Sequence, residues 1–288
     1  MTVPHVPILS PDQLPISLGT HLDGRSKTVV SDLINPHGFV VFRGYGVRSD
    51  QEFHDFIECF DLPNFTYAES FSNAVRRNRT PRVFTANEAP PEIEIFLHHE
   101  MAQTLVFPGQ LFFFCEQAPT EGGATPIGRS DLALVAIEKA RPNFVAKLRN
   151  LGVRYRNAMP DSADLASGQG RSWRDTLNVT DRKQAEQRLT ELGYNFRWLD
   201  DGGISVQTPP LLAVDAFGRG KDVFFNQIVA AAAGWTNDES DEEPRLCYGD
   251  YSRIDQDDLD AAIAASYEHT VDLELSLIHI SEPTRRPI

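Results

Sequence analysis

The sequence predicts a mainly β fold carrying helical insertions, a β-sandwich or jelly roll. Short β-rich runs closed by glycine, proline or asparagine recur from Gly38 to Asn226, and helical spacing is confined to a few stretches between them. The 19 glycines, 19 prolines and 18 phenylalanines also suit strands and turns better than a helical bundle. At 288 residues and 41% hydrophobic content the chain can bury a full core, and neither a repeat nor a linker divides it.

Gly38–Val47 reads as a buried strand closed by glycines. Phe53, Phe56, Ile57 and Phe60 then fall at helical spacing, which predicts a helix over Asp50–Phe60. A proline- and asparagine-rich stretch to about Pro91 reads as loop. Ile93–Met101 alternates: Ile93, Ile95, Leu97, His99 and Met101 lie on one side, and Glu94, Phe96, His98 and Glu100 on the other. That alternation predicts a strand. Leu111–Cys115 is the next strand, ended by the turn residues Pro119–Gly123. Ser130 is expected to cap a helix running to about Asn150, bent or broken near Pro142. Gly152–Arg156 returns as a strand. Asp181–Leu192 is amphipathic and stops at Gly193. Short strands are expected at Tyr194–Leu199, Ile204–Thr208, Leu211–Val214 and Val223–Asn226, and a last helix at Asp257–His269.

The net charge of −14 argues against nucleic acid as a partner, because phosphate binding needs a basic surface. Ten acidic residues between Asp238 and Asp260 against Arg245 and Arg253 carry eight of those charges, a pattern of solvated loop and helix face. No apolar run approaches the length of a membrane span, and Met1–Ser10 lacks the basic and apolar regions of a secretion signal. Cys59, Cys115 and Cys247 are odd in number and widely spaced, so reduced thiols and a cytoplasmic location are expected.

The chemistry concentrates at Ile95-Phe-Leu-His98-His99-Glu100-Met101. On a strand, residues two apart share a face, so His98 and Glu100 can reach one metal ion while His99 points away. Two imidazoles and one carboxylate form the facial triad of non-haem iron(II) oxygenases, and His-x-Glu supplies two of those ligands. Taken alone, such a pair is more often a surface or hydrogen-bonded pair than a ligand set. Here it sits among aromatic residues, where an unpaired carboxylate is costly to bury. Thr125 follows Gly122 and Gly123; its hydroxyl can donate to a carboxylate, or the segment is a plain turn. Asn226 and Gln227 either face a site or satisfy loop backbone. Arg171, Arg174 and Arg197 are candidates for an acidic substrate, with surface exposure the simpler role. His5, His21, His37 and His54 have no partner at ligand spacing, and Trp173, Trp198 and Trp235 read as packing residues.

Three segments together resemble the TauD/TfdA superfamily: His98-His-Glu-Met101, Pro108-Gly-Gln-Leu-Phe-Phe-Phe-Cys-Glu116 and Glu121-Gly-Gly-Ala-Thr-Pro-Ile127. They are most similar to its SyrP-like branch. The resemblance covers roughly Gly38 to Glu274 and includes Gly152–Arg156 and Phe224–Gln227. It implies a double-stranded β-helix (jelly roll), iron(II) held by His98 and Glu100, and 2-oxoglutarate as co-substrate with Thr125 helping to bind it. The implied reaction is oxygen-dependent hydroxylation of a small amino-acid-like or carrier-bound metabolite. A non-catalytic jelly-roll small-molecule-binding module is the alternative, and a metal-dependent hydrolase or isomerase a third reading that the Gly-Gly-x-Thr turn disfavours.

The resemblance also implies a third ligand and an arginine for 2-oxoglutarate, on strands after a segment similar to Tyr267–Glu274. The chain continues instead as Leu275-Ser-Leu-Ile-His-Ile-Ser-Glu-Pro-Thr-Arg-Arg-Pro-Ile288, which resembles the translation of a transposase-type sequencing-library adapter. Residues 1–274 are therefore expected to be one dioxygenase domain incomplete at its C-terminus, and residues 275–288 a foreign tail. An unpaired sheet edge and an inactive chain are expected to follow. The competing view makes His279 the third ligand, with Arg285 or Arg286 as the carboxylate partner; Pro283 and Pro287 oppose a paired strand around those arginines.

Overall fold

The computed structural model describes residues 6–65, 71–72, 74, 76–86, 94–117, 124–163, 170–216, 220–234 and 244–273, and the backbone of 279–281. Gly122, Gly123, Trp235 and the acidic residues 238–243, all singled out from the sequence, lie outside that set.

The elements run β1 (Ile8–Leu9), α1 (Gly24–His37), β2 (Val40–Phe42), α2 (Asp50–Glu58), β3 (Leu111–Phe113), β4 (Thr125–Gly128), α3 (Ser130–Ala140) and α4 (Pro142–Leu151). They continue with β5 (Val153–Met159), α5 (Trp173–Leu177), α6 (Arg182–Glu191), β6 (Asn195–Trp198), β7 (Ile204–Gln207), β8 (Val214–Asp215), β9 (Val223–Phe224), α7 (Ile228–Gly234), β10 (Leu246–Tyr248), α8 (Gln256–Glu268), β11 (Thr270–Leu273) and β12 (His279–Ser281).

The expectation of a mainly β chain is corrected. Among the described residues 34% are helical and 18% lie in strands, and no sheet closes into a barrel. The strands form four-stranded sheets in the orders β1-β2-β12-β3 and β10-β5-β7-β6, with the pairs β11-β4 and β8-β9. No described helix is long and apolar enough to cross a membrane.

Local sequence explains most boundaries. Ser49 accepts from the Glu52 amide and starts α2, whose Phe53, Phe56 and Ile57 are buried. The helix expected over Ser130–Asn150 is two helices, because Arg141 leaves helical geometry ahead of Pro142, which opens α4 as its first residue. Ser130 is not the cap; Arg129 precedes α3 without a side-chain capping bond. Asp181 caps α6, and Gly193 follows its end with φ of 73°. Asp23 caps α1, whose Val30 and Ile34 are buried one turn apart, while α5 and α7 are too short to carry periodicity and are stabilised by tertiary packing.

The last described strand lies inside a sheet. Ile280 pairs with Val40 on one side and Phe112 on the other, so β12 fills the slot between β2 and β3.

Apolar side chains gather in four clusters. The largest joins α3, α4, α7 and α8 to β5, β8, β9 and β10, and a second, rich in phenylalanine, joins α1, β2 and α2. A third packs α5 and α6 on β6 and β7 around Trp173. The smallest, Phe39, Val41, Ile127, Val271 and Leu273, ties β2 to the β4–β11 pair. Val40 and Phe42 face the phenylalanine-rich cluster while Val41 faces this one, so β2 is buried on both sides.

Candidate metal centre

The segment expected to be a strand over Ile93–Met101 is irregular from Glu94 to His99 and turns at Glu100. Ile95 is 54% exposed, which a core-facing strand position would not allow. The ladder fails because side chains take the places of backbone partners. The His99 amide donates to Asn226 O at 3.2 Å, but the Asn226 amide donates to His99 Nδ1 at 3.3 Å. The Phe96 carbonyl is occupied by His98 Nδ1 at 2.7 Å. Met101 then adopts φ of 62°, uncommon for a residue with a Cβ, and the Ala102 amide closes the turn on His99 O.

Three contacts fix this segment on the fold. Phe96 lies so close to Gly234, the last residue of α7, that a Cβ there would stand 2.7 Å from its ring. Leu97 packs into the largest cluster and lies 4.0 Å from a Cβ built on Gly128 of β4. His99 stacks on Phe225 with centroids 4.9 Å apart, and its carbonyl accepts from Gln227 Nε2 at 2.9 Å. Asn226 Oδ1 accepts from the Ile228 amide and so caps α7, while the Gln227 amide donates to Tyr155 Oη. The Asn226 side chain therefore satisfies local backbone, and the Gln227 side chain satisfies the distant His99 carbonyl within the candidate segment itself.

These contacts give the two histidines different chemistry. Burial pushes His99 down to about 4, opposed by the Asn226 carbonyl 3.4 Å from Nδ1 and reinforced by the neighbouring His98, so the ring is neutral at pH 7 and works as a packing and hydrogen-bonding group. His98 is exposed. Phe96 O has only lone pairs, so Nδ1 carries the proton and Nε2 keeps the lone pair that a metal would take.

Glu100 is the counterpart of His98 across the turn. Its side chain is 12% exposed, and Arg76 Nη2 donates to both carboxylate oxygens, at 3.2 and 3.1 Å. Sequence reasoning did not single out Arg76. It lies 24 residues upstream in a stretch with no periodicity, and nothing in its spacing marks it.

Thr125 begins β4, half-buried, with Leu273 of β11 as its register partner. It stands three residues along the strand from Gly128, roughly 10 Å at strand rise. The Leu97–Gly128 approach thus brings the His98 segment and the Thr125 strand into one region.

The remaining candidates resolve into structural roles. Arg171 donates to the Ser72 and Asp175 carbonyls, and Arg174 pairs with Asp161 while lying 4.0 Å over Trp173. Arg197 is exposed on β6. Trp173 and Trp198 meet edge to face at 5.1 Å. His54 does have a neighbour at ligand spacing, since Nε2 is 3.3 Å from Glu58 Oε1 one helical turn away. With Asp55 they form the one three-membered cluster of potential metal-ligand atoms among the described residues. Arg82 stands 3.6 Å from the same Glu58 oxygen and opposes a cation there.

An imidazole whose Nδ1 is committed to a carbonyl and whose Nε2 is available, two residues from a shielded carboxylate, fits two ligands of a facial iron site. Among the described residues neither His98 nor Glu100 belongs to a three-membered group of ligand atoms within 4.8 Å.

Residues 6–245 match the family model described as taurine catabolism dioxygenase TauD, TfdA family. A clavaminate synthase-like protein of Arabidopsis thaliana is 36% identical over 238 residues, which cover 82% of this chain and 72% of the relative. The dapdiamide synthesis protein DdaC of Enterobacter agglomerans is 26% identical over 227 residues, covering 78% of this chain and 64% of that protein.

Proposed function

From the premise that the chain belongs to the TauD/TfdA dioxygenase family, we propose that it hydroxylates a small amino-acid-like or carrier-bound metabolite, with His98 and Glu100 as metal ligands and Thr125 as a contact to 2-oxoglutarate. The family uses iron(II) and 2-oxoglutarate, and its members are 2-oxoglutarate-dependent dioxygenases acting on small molecules with oxygen. The observation that carries the assignment is the His98 Nδ1 contact to the Phe96 carbonyl, which leaves Nε2 of an exposed ring available two residues before the Glu100 carboxylate.

When bound, the iron supplies oxygen activation: 2-oxoglutarate and O2 yield succinate and CO2, and the second oxygen atom enters a C–H bond of the substrate. The chain's own residues set the stage for it. Phe96, Leu97 and His99 hold His98 and Glu100 in place through α7, β4 and the 225–227 segment. The Thr125 hydroxyl donates to a carboxylate of the co-substrate. Glu100 retains a carboxylate where related halogenases leave room for chloride, which favours hydroxylation. Kinship with proteins named for dapdiamide synthesis and for likeness to clavaminate synthase supports a secondary-metabolic substrate and the SyrP-like branch. A jelly-roll core, a cytoplasmic location and no nucleic-acid partner complete the proposal.

We further propose that residues 1–274 are the dioxygenase domain and 275–288 a foreign tail. The third ligand and the arginine for 2-oxoglutarate are then absent from this chain, and it does not turn over. The decisive experiment restores a family-type segment after Glu274, carrying a distal histidine and arginine, and adds iron(II) and 2-oxoglutarate anaerobically. A 2-oxoglutarate-dependent visible absorbance, lost in His98→Ala and in Glu100→Ala, supports the assignment. Binding of 2-oxoglutarate with no dependence on metal would identify a binding module instead. Genomic DNA that encodes residues 275–288 would overturn the foreign tail.

A further inference from the structure

We propose that Arg76 is a positioning residue of the metal centre, holding the Glu100 carboxylate before a divalent cation arrives and yielding it when one binds. The inference rests on the reading of Glu100 as a ligand. Its basis is a competition between two cations for one pair of oxygens.

Arg76 Nη2 reaches both Glu100 oxygens, at 3.1 and 3.2 Å, and the two side chains are 16% and 12% exposed. So little water reaches the pair that the carboxylate depends on protein groups for compensation. Both partners are held from behind. On the arginine side, the Arg77 amide donates to Thr85 Oγ1, the Thr85 amide donates to Arg77 O, and Asn78 bridges Phe84, which makes a short closed loop next to Arg76. On the glutamate side, the Met101 turn is locked by Ala102 on His99 and by Thr104 on Met101.

A guanidinium has donors and no acceptor, so Arg76 cannot itself join a metal. A dication at Glu100 stands within a few ångströms of the guanidinium, a like charge, and draws on the same two carboxylate oxygens. While Arg76 stays on the carboxylate it therefore opposes metal binding. In return, Arg76 keeps the carboxylate oriented while no metal is there. A purely structural ion pair would stabilise the fold in the same way, but its removal would not tighten metal binding.

The test uses the full chain and Mn2+ as probe, with its dissociation constant read from the spin-resonance signal of the free ion and the thermal midpoint measured with and without metal. Arg76→Gln is expected to lower the midpoint of the metal-free chain, to bind Mn2+ about tenfold tighter through loss of a like charge beside the metal, and to regain its midpoint when Mn2+ is added. In a Glu100→Gln background, the same substitution is expected to change neither Mn2+ affinity nor midpoint. If Arg76→Gln does not fold, Arg76→Lys decides, because it keeps the charge and loses the two-oxygen reach; intermediate tightening sustains the proposal and wild-type affinity overturns it. Unchanged or weaker Mn2+ binding by Arg76→Gln, with Glu100→Gln weakened, overturns the role of Arg76. Wild-type Mn2+ affinity in Glu100→Gln overturns the ligand reading on which it rests.

Discussion

Leu273 stands directly across from Thr125, the last register pair of the antiparallel β11–β4 ladder. The described part of β11 therefore ends beside the residue proposed to contact 2-oxoglutarate. Position 275, where the foreign tail is proposed to begin, is two residues farther on.

This placement predicts where activity can be restored. The chain of residues 1–288 supplied with iron(II) and 2-oxoglutarate is expected to form no succinate above background, since two protein ligands hold iron weakly. A chain with the distal histidine and arginine on strands continuing from Glu274 is expected to form succinate. Coupled succinate detection on both chains is the check, and turnover by residues 1–288 would refute the prediction.

A second prediction concerns acid stability. Asp131, at the start of α3, is desolvated, which acts to raise its pKa, but Arg129 and Lys221 outweigh burial and hold it well below the usual carboxylate range. A depressed folded pKa contributes stability above the unfolded value near 4, and that contribution is lost as pH falls below it. Asp131→Asn is expected to cost about 2 kcal/mol at pH 7. In urea titrations the gap between the two proteins should close below about pH 4; a gap constant with pH would exclude the ion pair as its cause.

Gly249 offers a steric test of the largest cluster. A Cβ at this position would stand 2.0 Å from the Leu151 carbonyl oxygen and 3.0 Å from Pro210, and the Gly249 amide already donates to Gly152 O. Because the clash is with backbone, no rotamer relieves it. Gly249→Ala is expected to destabilise by about 3 kcal/mol or more, read as a lowered urea midpoint; a loss below 1 kcal/mol would show that the turn gives way.

The role of His99 is separable from that of His98. His99→Leu keeps the ring's volume roughly but leaves the Asn226 amide without its imidazole acceptor, at a cost of about 1–3 kcal/mol. His98→Ala, on an exposed side chain, is expected to change stability by less than about 0.5 kcal/mol. Thermal melts of the two variants should differ accordingly, and equal losses would contradict the division of labour.

Much of the site was legible because its residues lie close together in the chain. His98 and Glu100 are two residues apart, and the Gly-Gly-x-Thr run is contiguous, so a resemblance could locate them without a fold. Helix α2 was legible for a related reason: its phenylalanines repeat at helical spacing, and each of Phe53 and Phe56 is buried as the period requires. The alternation of residues 93–101 misled, because period-two hydrophobicity reports a strand only where the backbone finds a ladder, and here His99 Nδ1 and the Met101 turn replace it.

By itself the sequence determined the family, and it singled out the His-x-Glu pair and position 275 as the places to test, all of them local strings of residues. Only the tertiary structure decided which imidazole keeps an available nitrogen, which amides are spent on capping α7, and which cation meets Glu100. The first two turn on partners two residues away that only the folded backbone brings round, Phe96 O for His98 and the Ile228 amide for Asn226. Arg76 meets Glu100 across 24 residues, and Asn226 and Gln227 meet His99 across 127 and 128. The physical reason is burial: a desolvated polar group takes whatever partner the fold brings within hydrogen-bond distance, and that distance is set by packing rather than by spacing along the chain.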